Sequence, residues 1–112
     1  MQARITWEGE ARFVGETASG HRVVMDGPPD AGGQDGGPRP MEMVLLGLGG
    51  CSAFDVVHIL RKGRREVAGC EVAIEAERAD TDPKVFTRIH LHFIVRGEGL
   101  DRDVRALAAP TP

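Results

Sequence analysis

Residues 40–65 read PMEMVLLGLGGCSAFDVVHILRKGRR, and their reading decides the fold. Pro40 suits the first turn of a helix, where its missing N–H costs nothing. Behind it, Met41, Met43, Val44, Leu45, Leu46, Leu48, Phe54, Val56, Val57, Ile59 and Leu60 place apolar side chains on nearly every side. A helix that is apolar all round is buried all round. A chain of 112 residues can enclose such a helix only between two sheets or against a second subunit. Arg61, Lys62, Arg64 and Arg65 close the segment with cations, which favour the C-terminal dipole and read as a solvated helix end.

Both flanks of this helix look like β-structure. Residues 1–26 form a β-meander. Ala3–Glu8 alternates apolar and polar positions as a half-buried strand does, Gly9 breaks it, and Ala11–Thr17 follows with Phe13 as its largest inward candidate. Ser19-Gly20 turns the chain into a third strand, carrying Val23, Val24 and Met25. Residues 27–39, GPPDAGGQDGGPR, are rich in Gly and Pro without periodicity and read as a flexible loop, bordering a site or merely connecting. Residues 69–96 read as a β-hairpin turning at Asp80–Pro83. Cys70, Val72, Ile74 and Ala76 share one face, opposite Val85, Thr87, Ile89, Leu91, Phe93 and Val95. The other face sets Glu71, Glu75 and Glu77 near Arg88, His90, His92 and Arg96. Leu100, Val104, Leu107 and Ala108 fall at helical spacing, a short helix over 101–109. The order βββ-α-ββ-α is an α+β arrangement with antiparallel sheets in one domain spanning 1–112.

Composition narrows the partners. A net charge of -3 with no dominating basic surface argues against nucleic acid. No run approaches a membrane span, and the N-terminus, charged from Arg4 onward, lacks the apolar core of a secretory signal. Two cysteines are no disulfide scaffold, so the expected compartment is cytoplasmic. No cofactor fingerprint is present: Gly47-Leu-Gly-Gly-Cys lacks the dinucleotide spacing, and no strand leads into it. His90-Leu-His92 lacks companions at metal-ligand spacing, and cross-strand pairing with the glutamates explains it without zinc.

Cys51 is the residue with chemistry to offer. In a continuous helix from Pro40 it lies about three turns in, beyond the reach of the N-terminal dipole. If Gly47, Gly49 and Gly50 let the helix restart, Ser52-Ala-Phe-Asp55 resembles a capping box and the thiolate is favoured. The bland alternative is an inert cysteine packed as a small hydrophobe. Asp55 and His58 share a helix face with Cys51, but seven residues of helix rise ~10 Å, so a Cys–His catalytic pair is unsupported.

Trp7-Glu-Gly, the Gly/Pro-rich loop, Pro40-Met-Glu-Met-Val-Leu, Leu48-Gly-Gly-Cys51 and Phe86-Thr-x-Ile-His-Leu-His-Phe93 together resemble the OsmC/Ohr family, in its YhfA-like branch. The resemblance covers essentially residues 1–107. It implies an intertwined homodimer whose sheets wrap a pair of long central helices. It also implies cysteine-based reduction of organic and lipid hydroperoxides, with Cys51 at the peroxidatic position and an external thiol as reductant. Glu42 and Arg12 are the residues it would assign to support the thiolate. Met41 stands where the family's Glu follows its Pro, with Glu42 one residue later, and Arg12 is an approximate counterpart of the family's arginine. The family's second cysteine follows a C-terminal helix, and this sequence reaches Pro112 ahead of that point, so it reads as C-terminally shortened. Resolution of an oxidised Cys51 then falls to Cys70, a partner chain or an external thiol. The competing expectation is a non-catalytic dimeric relative that binds an apolar ligand or senses redox state.

Overall fold

The computed structural model describes residues 1–98. Its elements are β1 (Ala3–Trp7), β2 (Phe13–Thr17), β3 (Arg22–Met25), a 3-10 turn (Pro29–Ala31), α1 (Pro40–Lys62), β4 (Gly69–Arg78) and β5 (Phe86–Arg96). β1-β2-β3 and β4-β5 are two separate antiparallel sheets, giving the α+β order expected. The helix expected over 101–109 lies outside the described residues. The chain divides into two compact units, Met1–Leu46 and Gly47–Pro112, and α1 runs through the boundary.

In the first unit the buried apolar side chain is Val14, on the central strand β2. β1 departs from the half-buried strand expected, because it is an edge strand with both faces uncovered in the single chain; Ile5 is 59% and Trp7 63% exposed. Residues 27–39, expected to be flexible, are instead knitted to β3. Asp26 is buried, and its carboxylate accepts N–H donors from Gly27 at 2.8 Å, Gly36 at 3.1 Å and Gln34 at 3.2 Å. The Asp26 N–H itself donates to the Pro38 carbonyl at 3.1 Å. Gly33 and Gly37 are needed for this weave, since a Cβ would fall 2.0 Å from the Gly27 oxygen and 2.2 Å from that of Val24 respectively.

In the second unit α1 lays Val56 and Leu60 on the hairpin, against Val67, Phe93 and Val95. Gly49 lets β4 come close, for a Cβ there would sit 2.7 Å from Ile74 Cδ1. The hairpin register sets Cys70 opposite Val95, Val72 opposite Phe93, and Ile74 opposite Leu91. Outside, Arg96 reaches Glu71 at 3.0 Å and Arg88 reaches Glu77 at 3.5 Å, with His90 opposite Glu75. A bulge at Glu77/Arg78 corrects the far end: Phe86, not Val85 or Thr87, takes the half-buried place, because one extra residue exchanges the two faces.

The single chain covers only part of the helix, and one expectation about it changes. Only Gly49, Val56 and Leu60 of α1 are buried, so the single chain leaves most of it uncovered. And α1 is long and apolar enough to cross a membrane by length and composition, because its Gly, Ser and Ala interrupt the large side chains without adding charge. Its end also differs from the cationic run through Arg65. The Arg65 N–H donates to the Leu60 carbonyl at 2.9 Å and that of Arg64 to Arg61 at 3.0 Å, a Schellman closure with Arg64 at φ 62°.

Two outcomes follow. Arg64→Gly removes a side chain from a left-handed position and stabilises the chain by about 0.5–1 kcal/mol, read as a higher urea midpoint at unchanged slope. The N–H of Gly27 first, then those of Gly36 and Gln34, with a smaller pull from Arg12, hold the Asp26 carboxyl below its ordinary 3.8 against the opposing effect of burial. Its stabilising contribution is therefore full above that ordinary value and is lost as pH falls through the lower folded one. Asp26→Asn turns an NH2 toward donors, so it lowers the melting midpoint by at least a few degrees and speeds proteolysis within 27–39. The gap to wild type narrows in acid. A gap unchanged from about pH 7 to about pH 2 would show that the carboxylate charge does not hold the loop.

Candidate functional site

Cys51 lies in the middle of α1, which continues without a break through Gly47, Gly49 and Gly50. The helix restart considered from the sequence does not occur. Ser52 is no cap: its hydroxyl donates back to the Leu48 carbonyl at 2.8 Å, satisfying itself within the helix. The Cys51 side chain is exposed and unpaired with any disulfide partner. Around it the single chain is open, since a Cβ on Gly47 or Gly50 would meet nothing within 4 Å. Asp55 and His58 are likewise exposed, and His58 stacks on Phe54 with ring centroids 6.2 Å apart. No catalytic Cys–His geometry arises from this face.

Arg12 and Glu42 belong to the first unit and Cys51 to the second. Each of the two has a local bond. Arg12 Nε donates to Glu8 Oε1 at 2.9 Å, and Glu8 Oε2 accepts from Arg22 at 3.3 Å. Glu42 is the third residue of α1, and its Oε1 accepts the backbone N–H of Arg39, just ahead of the helix, at 2.8 Å. That is the backward half of a capping box. The guanidinium of Arg39 in turn pairs with Asp35, binding the end of the loop to the helix start.

Cys70 is half-buried on β4 and lines a cavity of about 870 Å³ in the second unit. Ala53, Phe54 and Val57 of α1 give it an apolar wall, while His58, Arg61 and Lys62 bring cationic or titratable groups to the same surface. Cys51 is absent from that lining, so the two thiols face different surroundings. His90 and His92 lie along β5, opposite Glu75 and Ala73, and among the described residues no cluster of three His, Cys, Asp or Glu side chains could hold a metal. Sequence reasoning missed both this cavity and the carboxylate of Asp26. The first forms where one face of α1 runs beside Cys70 of β4, a juxtaposition that periodicity does not announce; the second had a local signal, an Asp leading into Gly27-Pro28.

Comparison with known proteins accounts for the architecture. Residues 32–110 match the family model described as OsmC-like protein. Protein YhfA of Escherichia coli strain K12 is 54% identical over 100 residues, covering 89% of this chain and 72% of YhfA. A solved structure described only as "structural genomics" aligns with a TM-score of 0.82 at 49% identity, over 97% of this chain and 79% of that one. The organic hydroperoxide resistance protein OsmC of Legionella pneumophila aligns with a TM-score of 0.70 at 20% identity, over 96% and 78% of the two chains, a likeness of fold alone. Across motif, identity and fold, the chain belongs to the OsmC-like protein family.

Proposed function

We propose that this protein is a redox-active stress protein that reduces organic hydroperoxides through the thiol of Cys51, in the cytoplasm. The observation that carries the reading is an exposed thiol at mid-helix inside the segment that matches the family model. The fold shared with a protein described as an organic hydroperoxide resistance protein supports it. In the proposed cycle the Cys51 thiolate attacks one peroxide oxygen and the O–O bond breaks. Sulfur takes that oxygen as a sulfenic acid, and the other oxygen leaves as the protonated alcohol. A second thiol, from a partner chain or an external molecule, condenses with the sulfenic acid and releases water. An external dithiol then reduces the disulfide. Arg12 and Glu42 are proposed to support the thiolate, in exchange for their bonds to Glu8 and the Arg39 N–H.

A homodimer is part of the same proposal. Val44 at 53%, Leu46 at 62% and Ile59 at 48% exposure, with Ile5 and Trp7 on β1, leave more apolar surface than an isolated chain holds comfortably. The second reading, a non-catalytic dimer that binds an apolar ligand or senses redox state, is favoured by the capping bond that already occupies Glu42.

Cumene hydroperoxide consumption with dithiothreitol as reductant separates the two readings. Wild type should turn over, and Cys51→Ser should lose roughly 100-fold or more of the rate. Equal rates would end the enzyme reading. Light scattering on a sizing column should give twice the chain mass. Val44→Glu with Ile59→Glu should shift that mass to the monomer, since charges are costly within an apolar interface. A wild-type chain that elutes as a monomer at micromolar concentration would refute the dimer.

A further inference from the structure

We propose that Asp35-Gly36 is a covalent modification site, where the aspartyl side chain closes on the next amide and reopens as isoaspartate. Asp26 and Arg39 set its rate by holding the two reacting groups. This inference rests on the first unit alone and is independent of any peroxide chemistry at Cys51. The Gly36 nitrogen attacks Cγ of the protonated Asp35 carboxyl, a C–N bond forms, and the carboxyl hydroxyl leaves as water with the amide proton. The cyclic imide then adds water at the former peptide carbonyl of Asp35, whose bond to nitrogen breaks. The chain now runs through Cγ, the α-carboxylate is free, and nothing has been oxidised or reduced. Glycine after the aspartate favours closure, because no side chain crowds the attacking nitrogen.

The chain holds two Asp-Gly steps and no asparagine, and the structure ranks the two. Asp26 is 3% exposed, and three N–H donors, that of Gly27 among them, hold its carboxylate ionised. An ionised carboxylate has no hydroxyl to lose, so this step is closed. Asp35 differs: its side chain is 65% exposed, and its backbone is left-handed at φ 54°, which an L residue adopts at a cost. Two contacts restrain it. The Gly36 N–H donates to Asp26 Oδ2 at 3.1 Å, and the Asp35 carboxylate pairs with Arg39 Nη1, which also donates to the Gly37 carbonyl at 3.3 Å. The first contact holds the nucleophile, and the second keeps the electrophile in its unreactive ionised form. Isoaspartate lengthens the backbone between Gln34 and Gly36, whose N–H groups share Asp26 Oδ2. That spacing no longer serves both bonds, so the modified loop stays open and loses its tie through Arg39 to the start of α1. Its free α-carboxylate is the group on which a carboxyl methyltransferase using S-adenosylmethionine acts.

Full-length protein aged for weeks at neutral pH tests this, with isoaspartate counted by methyl transfer from labelled S-adenosylmethionine with an isoaspartyl methyltransferase. Fragmentation of the tryptic peptide Val23–Arg61 places the product at 35 or at 26. Wild type should react roughly tenfold more slowly than a free peptide of residues 31–39, in which nothing holds either group. Arg39→Gln, which leaves the Asp26 bonds in place, should raise the rate roughly threefold or more. Asp26→Ala should bring it to that of the peptide; alanine is used because asparagine before Gly27 would itself deamidate to isoaspartate. Asp35→Glu keeps a carboxylate for Arg39 and should remove the product, since its larger imide ring closes slowly. Circular dichroism checks the fold of each variant, and Arg39→Gln decides alone if Asp26→Ala does not fold. Wild type reacting as fast as the peptide, an unchanged rate in either folded variant, or isoaspartate at 26 would overturn the proposal. So would a slower Asp26→Ala, which would show the carboxylate acting as a base on the Gly36 N–H.

Discussion

An apolar helix must find cover, and here one stripe of it does. Gly49, Val56 and Leu60 meet β4 and β5, where Gly49 brings the backbone close and Phe93 and Val95 complete the contact. Only 17% of the most apolar 18-residue window of α1 is buried in the single chain. The uncovered remainder holds the exposed Cys51 and the wall of the Cys70 cavity. Whatever covers the rest of α1 thus determines how far both thiols are open to small molecules.

Local periodicity made much of this legible from the residues. Period-2 alternation fixed which side of β4 carries Cys70, Val72 and Ile74, and the acidic and basic rows of the hairpin do face each other through Glu71–Arg96 and Glu77–Arg88. Pro40 begins the helix because a residue without an N–H suits that place. Motifs at the right order and spacing led to the family. What escaped depends on hydrogen bonds that composition does not announce or on a single inserted residue. The bulge that promotes Phe86 over Thr87 leaves the alternating pattern looking intact until the strands are paired. Residues 27–39 looked entropically hopeless by composition, yet one buried carboxylate collects three of their N–H groups. At the helix end the cationic run read as a solvated terminus, and the hydrogen bonds instead close the last turn on Arg64 in a left-handed conformation.

The site residues show how a one-residue offset changes a side chain's task. With Pro40 first in the helix, Met41 is second and Glu42 third. A carboxylate at the third position reaches back to the N–H ahead of the helix; one at the second position does not close that ring. Glu42 is thereby tied to Arg39 as part of the helix start. Ser52 illustrates the same economy: placed inside a continuous helix, its hydroxyl goes to Leu48 instead of capping a new turn beside Cys51. Cys51 consequently depends on what surrounds it, because the helix supplies no free backbone N–H groups at that depth.

Asp26 gives the loop over 27–39 a property that its glycines alone would not. Clustered backbone N–H groups ordinarily recruit phosphate or sulfate from solution. Here the anion is covalently attached, so its local concentration far exceeds that of any salt in the medium. Ions in a buffer or a cell cannot compete for Gly27, Gln34 and Gly36 while that carboxylate stays ionised. The loop's shape is thus insulated from the ionic composition around it, unlike the surface pairs of the hairpin, which salt screens.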